Sequence, residues 1–456
     1  MRLSTYTRIV DIPGDRSVVM NLPKRNADIV PRSAANELRN VAEREVSPEW
    51  RDYAFDVGYL TSLNRDEEVA WFRGLVAEMR AGTEPANVMV VTTNSCNLAC
   101  SYCFQADSGM RNLLERHLTM VEAEGIIRHV DRLIAERGVA VAELIGGEPL
   151  LPRLQDVIEK LVVHFEEKGL PTRVTTNGVF LDRFAHLLGP TRIAELQISL
   201  DGTAATHDQR RIPLSGKPTF GQILANIELA LERGSSVMIR PNIDRRNIHD
   251  LPGLIELLQT RGLLAHPLVS LHYVNVHPDP FSADAGAGEH YMTLSEIDEY
   301  LRERDLPSVG GDTISGANPL GEYLRWVMEN PMVDACGAPS RNIYFSPGGQ
   351  LYNCHELIGR PSEAVGSFTS EKTKELPVWD KWRSRTIDQL ANCSECPVAF
   401  AHGGGCGARL KQDALTQWGV CDGFPEEFDK RITALASAVP ETGEVLRGGY
   451  GTACSA

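Results

Sequence analysis

The sequence predicts an α/β fold built on an open, partial (β/α)6 barrel. Three observations carry that expectation: six short apolar, β-rich runs in the middle of the chain, amphipathic helical patterns between them, and a cysteine cluster directly after the first run. The runs are VMVVTT (88–93), VAELIG (141–146), TRVTTN (172–177), ELQISL (195–200), SVMIRPNI (236–243) and VSLHYVNV (269–276). Apolar strands separated by helices imply parallel pairing with crossover helices. Six units fit an open barrel better than a closed eight-fold one. In either form, chemistry belongs at the C-terminal ends of the strands.

The elements follow in order. Residues 1–85 hold two strand patterns, YTRIVDI and SVVMNL, then the helical stretches SAANELRNVAER and DEEVAWFRGLVAEM, an order expected of a small winged-helix-like module. The barrel is expected over 86–277. Its first crossover helix opens with Thr119 and Glu122 at capping-box spacing and carries Ile126, Ile127, Val130, Leu133 and Ile134 on one face. LQDVIEKLVVHFEEKG and FGQILANIELALERG are further helices, each stopped by Gly. Residues 278–335, rich in Gly, Pro and Asp, read as a bridging region. A second cysteine-rich region spans 336–440 with a helix from Pro425, and a mobile tail, 441–456, ends in RGGYGTACSA.

Bulk properties exclude several classes. With 46 Lys and Arg against 61 Asp and Glu the formal charge is −15, the wrong sign for a nucleic-acid partner. An acidic surface suits a basic peptide or plain solubility. MRLSTYTRIVDIPGDRS lacks an apolar signal core, and no run of about 18 apolar residues occurs, so no membrane partner and a cytoplasmic location are expected. Ten cysteines in a reducing compartment point to metal or catalysis rather than disulfides.

CNLACSYC places Cys96, Cys100 and Cys103 at i, i+4, i+7. One buried helix face would explain that spacing. Against it, the stretch follows a strand and contains Asn94, Ser95 and Asn97, poor helix-interior residues. Zinc is the other alternative, but structural zinc takes four ligands, so a fourth would have to come from elsewhere. Three thiolates on a [4Fe–4S] cube leave one iron open. The CxxxCxxC loop, with the aromatic Tyr102 before its last cysteine, closely resembles that of the radical S-adenosylmethionine enzymes. The resemblance implies that the open iron chelates the amino and carboxylate groups of S-adenosylmethionine. One electron then splits the sulfonium bond, giving a 5′-deoxyadenosyl radical that takes a substrate hydrogen. It also implies an external reductant such as flavodoxin or ferredoxin.

Further motifs agree. GGEPLL (146–151) is either a Gly-Gly turn or, by the same resemblance, the Gly146–Gly147–Glu148 motif set against the cofactor's methionine amino group, where Glu148 would accept from an ammonium. TTNG (175–178) and SLDG (199–202) end strands and, alone, read as turns. SLDGTAATHDQRR resembles a segment of the peptide-modifying branch of the family. This implies that Ser199 lies near the cofactor and that His207, Asp208 and Arg211 brace the site. Arg240 and Asn242, on the fifth strand, are further pocket candidates.

Cys336, Cys354, Cys393, Cys396, Cys406 and Cys421, through GGQLYNC and CSECPVAFAHGGGC, resemble a SPASM domain, the auxiliary-cluster extension of peptide- and protein-maturing radical enzymes. Zinc ribbons are the alternative. The family expects a cysteine six positions after the CxxC; here His402 stands there. Three complete cubes have twelve iron corners, one reserved for the cofactor, so eleven need ligands. The chain has ten cysteines, one of them Cys454 in the tail. Either His402 replaces a thiolate or one corner is open, and His402 is otherwise a surface residue in a Gly-rich loop. By the family's crossed pattern, Cys336, Cys354 and Cys406 would hold one auxiliary [4Fe–4S] cluster, and Cys393, Cys396, Cys421 and His402 the second. The whole resembles a peptide maturase that binds a precursor leader through its N-terminal module and forms a carbon–carbon, carbon–oxygen or thioether crosslink. Sulfatase-type oxidation of a Cys or Ser is the alternative within the family. A zinc-binding regulatory protein is the alternative outside it.

Overall fold

The computed structural model describes residues 1–42, 46–82, 84–103, 105, 116–276, 289–306, 318–369, 374–410 and 414–437. The expected tail, 441–456, lies outside them. Two compact units emerge. One comprises Glu84–Thr313 and Ser340–Asp380, the other Met1–Thr83, Ile314–Pro339 and Lys381–Ala456.

The first unit contains the six expected parallel strands: Ala86–Thr93, Val139–Gly146, Thr172–Thr176, Ile193–Ile198, Ser236–Ile239 and Val269–Leu271. Each pairs in parallel with its neighbour in chain order. The helix Met120–Glu136 starts in the expected capping box, with Thr119 accepting from the Glu122 amide and Glu122 returning the bond. Gln155–Glu167, Phe220–Glu232 and Leu251–Thr260 cover other crossovers. Between the third and fourth strands the connection is only a kinked 3-10 segment, Leu181–Leu187.

The sequence reading missed a seventh parallel strand. Asn342–Ser346 pairs with the free edge of the first strand, Ile343 opposite Val88 and Phe345 opposite Val90. An antiparallel meander through Gln350–Tyr352, Gly366–Ser367 and Lys374–Glu375 continues from it. The boundary expected at 336 is therefore displaced: 340–380 belongs to the barrel unit, because the buried apolar run in NIYFS offers the first strand a partner.

In the second unit, Thr7–Ile12, Arg16–Asn21 and Asn26–Pro31 form a three-stranded antiparallel sheet. The third strand, NADIVP, is not among the two strand patterns expected there. Helices Arg32–Arg39, Pro48–Asp56 and Arg65–Arg80 follow. Residues 1–83 are not a free-standing module. Tyr6, Val18 and Phe72 share one core with Leu324, Phe400 and Ile432. Tyr6 stacks on Phe72 at 4.6 Å between ring centroids, and its hydroxyl donates to the Ser394 carbonyl at 2.7 Å. Arg8 Nε donates to Asp429 Oδ1 at 3.1 Å. The bridging region contributes the helix Pro319–Glu329 to this core. Among the described residues, no helix is long and apolar enough to cross a membrane.

Candidate active site

The cysteine loop is held as a strand, which settles the helix-face alternative. Leu98–Cys100 pairs antiparallel with Arg211–Pro213, Cys100 opposite Arg211. Ser101 N donates to Arg210 O at 3.0 Å and Leu214 N to Asn97 O at 3.0 Å, extending the seam. The segment read from SLDGTAATHDQRR thus forms the backing of the loop.

Tyr102 explains why. Its hydroxyl donates to Asp201 and accepts from Arg211 Nη1 at 2.6 Å and from Asn242 Nδ2 at 3.1 Å. Asp201, 1% exposed, also accepts from the Asn242 amide at 3.0 Å. Burial opposes the Arg211 charge, but Tyr102, Cys100 and Asp201 outweigh it and hold the guanidinium protonated. Arg210 lies over the Tyr102 ring at 5.0 Å and pairs with Asp244 at 3.1 Å. Asp208 caps the next helix, accepting from Thr219 N at 2.8 Å. His207 is fully buried against Phe220, and burial pushes its pKa down to about 4. Asp208 and Arg210 are held by these bonds, whereas His207 Nε2 is buried without a hydrogen-bond partner and Arg211 also lines the cavity described below.

The Gly pair is required by close approach. A Cβ on Gly146 would stand 2.3 Å from the Thr93 carbonyl oxygen, and one on Gly147 2.3 Å from that of Ser95. Glu148 follows the pair and is oriented by local bonds. Its carboxylate is 0% exposed and committed to Thr176 Oγ1 at 2.6 Å, Asn177 N at 2.8 Å and Leu150 N at 2.9 Å. Burial raises its pKa against those bonds. It fixes the TTNG turn, and Asn177 in turn reaches Asn97 Oδ1 at 2.7 Å and Cys96 Sγ at 3.8 Å.

Cys96, Cys100 and Cys103 line one cavity of about 510 Å³ at the strand ends. Gly146, Gly147, Ser199, Arg240 and Asn242 share it; Glu148 does not. Burial pushes Cys96 up to about 12 and Cys100 up to about 11, with Arg211 pulling the latter back. Three thiols around a roomy cavity, beside a glycine cradle, fit a cluster and a charged small molecule. Among the described residues no three His, Cys, Asp or Glu converge tightly enough for a single metal ion. Sequence reasoning missed Gln105, Glu143, Asn177, Tyr344, His355 and Glu356. Asn177 belongs to TTNG, which alone reads as a turn. The last three depend on the unforeseen seventh strand and its hairpin.

In the second unit Cys393, Cys396 and Cys421 interact electrostatically, as do Cys336 and Cys406. Asn392 Nδ2 donates to Cys421 Sγ at 3.3 Å. Cys354 belongs to the barrel unit, where it is buried. His402 is a half-buried residue rather than a surface one. It ends the turn Ala399–His402 and stacks on Phe424 at 4.2 Å and 14°.

Comparisons with known proteins agree with this geometry. Residues 90–258 match the Radical SAM superfamily. The chain is 29% identical over 243 residues to the Fe-coproporphyrin III synthase of Methanosarcina barkeri, covering 52% of this chain and 58% of that protein, less than two thirds of its length. It is 25% identical over 391 residues to the PqqA peptide cyclase of Xanthomonas campestris, covering 78% and 93%. The Streptococcus suis SuiB structure bound to precursor peptide SuiA superposes with a TM-score of 0.53 at 15% identity, over 92% of this chain and 98% of SuiB, a likeness of fold.

Proposed function

We propose, on the premise that residues 90–258 are a radical S-adenosylmethionine domain, that this chain matures a precursor peptide by hydrogen abstraction and oxidative crosslinking. The observation that carries the reading is the single cavity into which Cys96, Cys100, Cys103, Ser199, Arg240 and Asn242 all project. When bound, S-adenosylmethionine and its [4Fe–4S] cluster supply hydrogen-atom abstraction, and auxiliary clusters accept the second electron of a two-electron oxidation. The three thiols hold the first cluster. The amide of Leu98, 3.4 Å from Cys96 Sγ, and Asn177 Nδ2 donate to that sulfur, favouring its thiolate. Arg240, a half-buried cation lining the same cavity as Ser199, suits the carboxylate end of the cofactor. The auxiliary ligands are assigned as Cys336, Cys354 and Cys406, and as Cys393, Cys396, Cys421 and His402.

The substrate class is supported by the PqqA peptide cyclase and SuiB likenesses and by the sheet of Thr7–Ile12, Arg16–Asn21 and Asn26–Pro31, whose two outer strands suit strand addition by a leader. The test is anaerobic reconstitution of the full chain and of the Cys96, Cys100 and Cys103→Ala triple variant. The wild type should bind iron and convert S-adenosylmethionine to 5′-deoxyadenosine under reduction. The triple variant should lose that turnover and one cluster's share of iron. Turnover surviving in the variant, or a colourless zinc-loaded wild type, overturns the reading.

A further inference from the structure

Arg385 is 3% exposed, a position that a guanidinium rarely occupies without a carboxylate. Among the described residues no carboxylate pairs with it. All of its hydrogen bonds go to backbone carbonyls: Nη1 donates to Leu415 O at 2.7 Å and Trp418 O at 2.8 Å, Nη2 to Gly404 O at 2.8 Å and Gly405 O at 3.3 Å. These carbonyls belong to the two loops that carry Cys406 and Cys421. One planar group therefore ties the loops together.

The packing around it is built for that cation. A Cβ on Gly407 would stand 2.9 Å from Arg385 Nε, and one on Gly419 2.3 Å from Cys393 Sγ. The Gly404 carbonyl that receives Nη2 also receives Val420 N at 2.9 Å, so the two loops and the guanidinium close on one another. The ionisable groups acting on the Arg385 charge are three cysteines, Cys393, Cys406 and Cys336, drawn from both proposed auxiliary sets. Burial pulls Arg385 down, and thiolates at those positions oppose the loss. An isolated buried cation is strongly disfavoured, whereas clusters ligated by thiolates carry the negative charge that would balance it.

We propose that Arg385 is a positioning residue that serves as the shared buried counter-charge of the auxiliary clusters, holding their ligand loops and raising their reduction potentials. This rests on the reading of Cys336, Cys393, Cys396, Cys406 and Cys421 as cluster ligands. The physical basis is simple. Reduction adds an electron to an already negative cluster, and a fixed cation in a low-dielectric surrounding favours the more negative state.

The test uses the full chain, reconstituted anaerobically, with iron and sulfide per chain and EPR-monitored redox titration of each cluster. Arg385→Gln removes the charge and keeps donors; Arg385→Lys keeps the charge and loses the planar fork. In Arg385→Gln at least one auxiliary cluster should be tenfold less reduced at a fixed potential, 59 mV for a one-electron couple, while the cluster at Cys96, Cys100 and Cys103 is unchanged. Arg385→Lys should stay closer to wild type in potential. Loss of auxiliary iron in Gln but not in Lys also supports the proposal. Unchanged potentials in Gln, or equal loss of auxiliary iron in both variants, overturns it, leaving Arg385 a loop clamp. A wild type that binds only one cluster instead refutes the auxiliary-cluster reading itself, a separate outcome.

Discussion

Replacing Glu148 separates what its two oxygens do. Oε1 accepts from Leu150 N and Thr176 Oγ1, while Oε2 accepts from Asn177 N. Glu148→Gln retains an acceptor at the first position but faces its amide NH2 against the Asn177 N–H. One unsatisfied buried donor costs about 1–3 kcal/mol, so a loss of about 2 kcal/mol is expected, or roughly 4–8 °C at 2–4 °C per kcal/mol. Glu148→Ala strands both backbone donors, about 2–6 kcal/mol; the Thr176 hydroxyl can rotate away. Part of that cost is offset by removing a carboxylate whose raised pKa records its burial penalty, so a net loss of about 3 kcal/mol is expected. The assay is urea or thermal unfolding of the apo chain followed by near-UV circular dichroism. The pH dependence has a defined sign. A carboxyl raised in the folded state binds protons more readily there than in the unfolded chain, so its contribution falls as pH rises from the ordinary carboxylate range to the raised value, and Gln abolishes that slope. Stabilities of both variants within about 0.5 kcal/mol of wild type would refute the bracing role.

His207, lowered to about 4 by burial, is neutral when folded, so acidification from about pH 6.5 towards 4 should cost about 3 kcal/mol; His207→Phe should flatten that limb, and an unchanged pH–stability profile would sink the assignment. Tyr102→Phe removes a hydroxyl bonded to Asp201, Arg211 and Asn242 and should cost about 3 kcal/mol and loosen iron retention at the first cluster, measured by denaturation and by chelator challenge. Deleting 1–83 strips Tyr6 and Phe72, at about 3–5 kcal/mol each, from the core shared with the cysteine-rich region, so auxiliary iron should fall together with peptide binding; wild-type auxiliary iron in the truncated chain would contradict this. His402→Ala should lose iron at one auxiliary cluster and His402→Cys keep it at a lower potential, whereas identical EPR spectra in both would leave the ring a stacking partner of Phe424.

The barrel was legible because its strands are apolar and its helices are periodic and capped; the Thr119–Glu122 box stands where the spacing put it. The cysteine loop and the glycine pair were legible because so few residues permit what they do. What escaped detection depends on distant partners. Asn342–Ser346 is a strand only because the edge of Ala86–Thr93 awaits it, and no local pattern records that edge. The bonds of Glu148 to Thr176 and Asn177 were not legible because sequence shows a residue's type, not its direction. Asp201 looked like half of an Asp-Gly turn until Tyr102, 99 positions earlier, proved to be its partner. Residues 1–85 looked autonomous because their own pattern is complete; the shared core is visible only in three dimensions.

The late arrival of that seventh strand also bears on synthesis. Ala86–Thr93 leaves the ribosome about 250 residues before Asn342–Ser346, roughly 12–50 s at 5–20 residues per second. Until then at least one edge of ANVMVVTT is unpaired, an apolar edge of the kind on which nascent chains associate. The cysteine loop hangs from the end of this same strand. Iron delivered early would meet a half-built sheet, so nascent-chain chaperoning and the timing of cluster insertion become coupled problems for any host that expresses this protein.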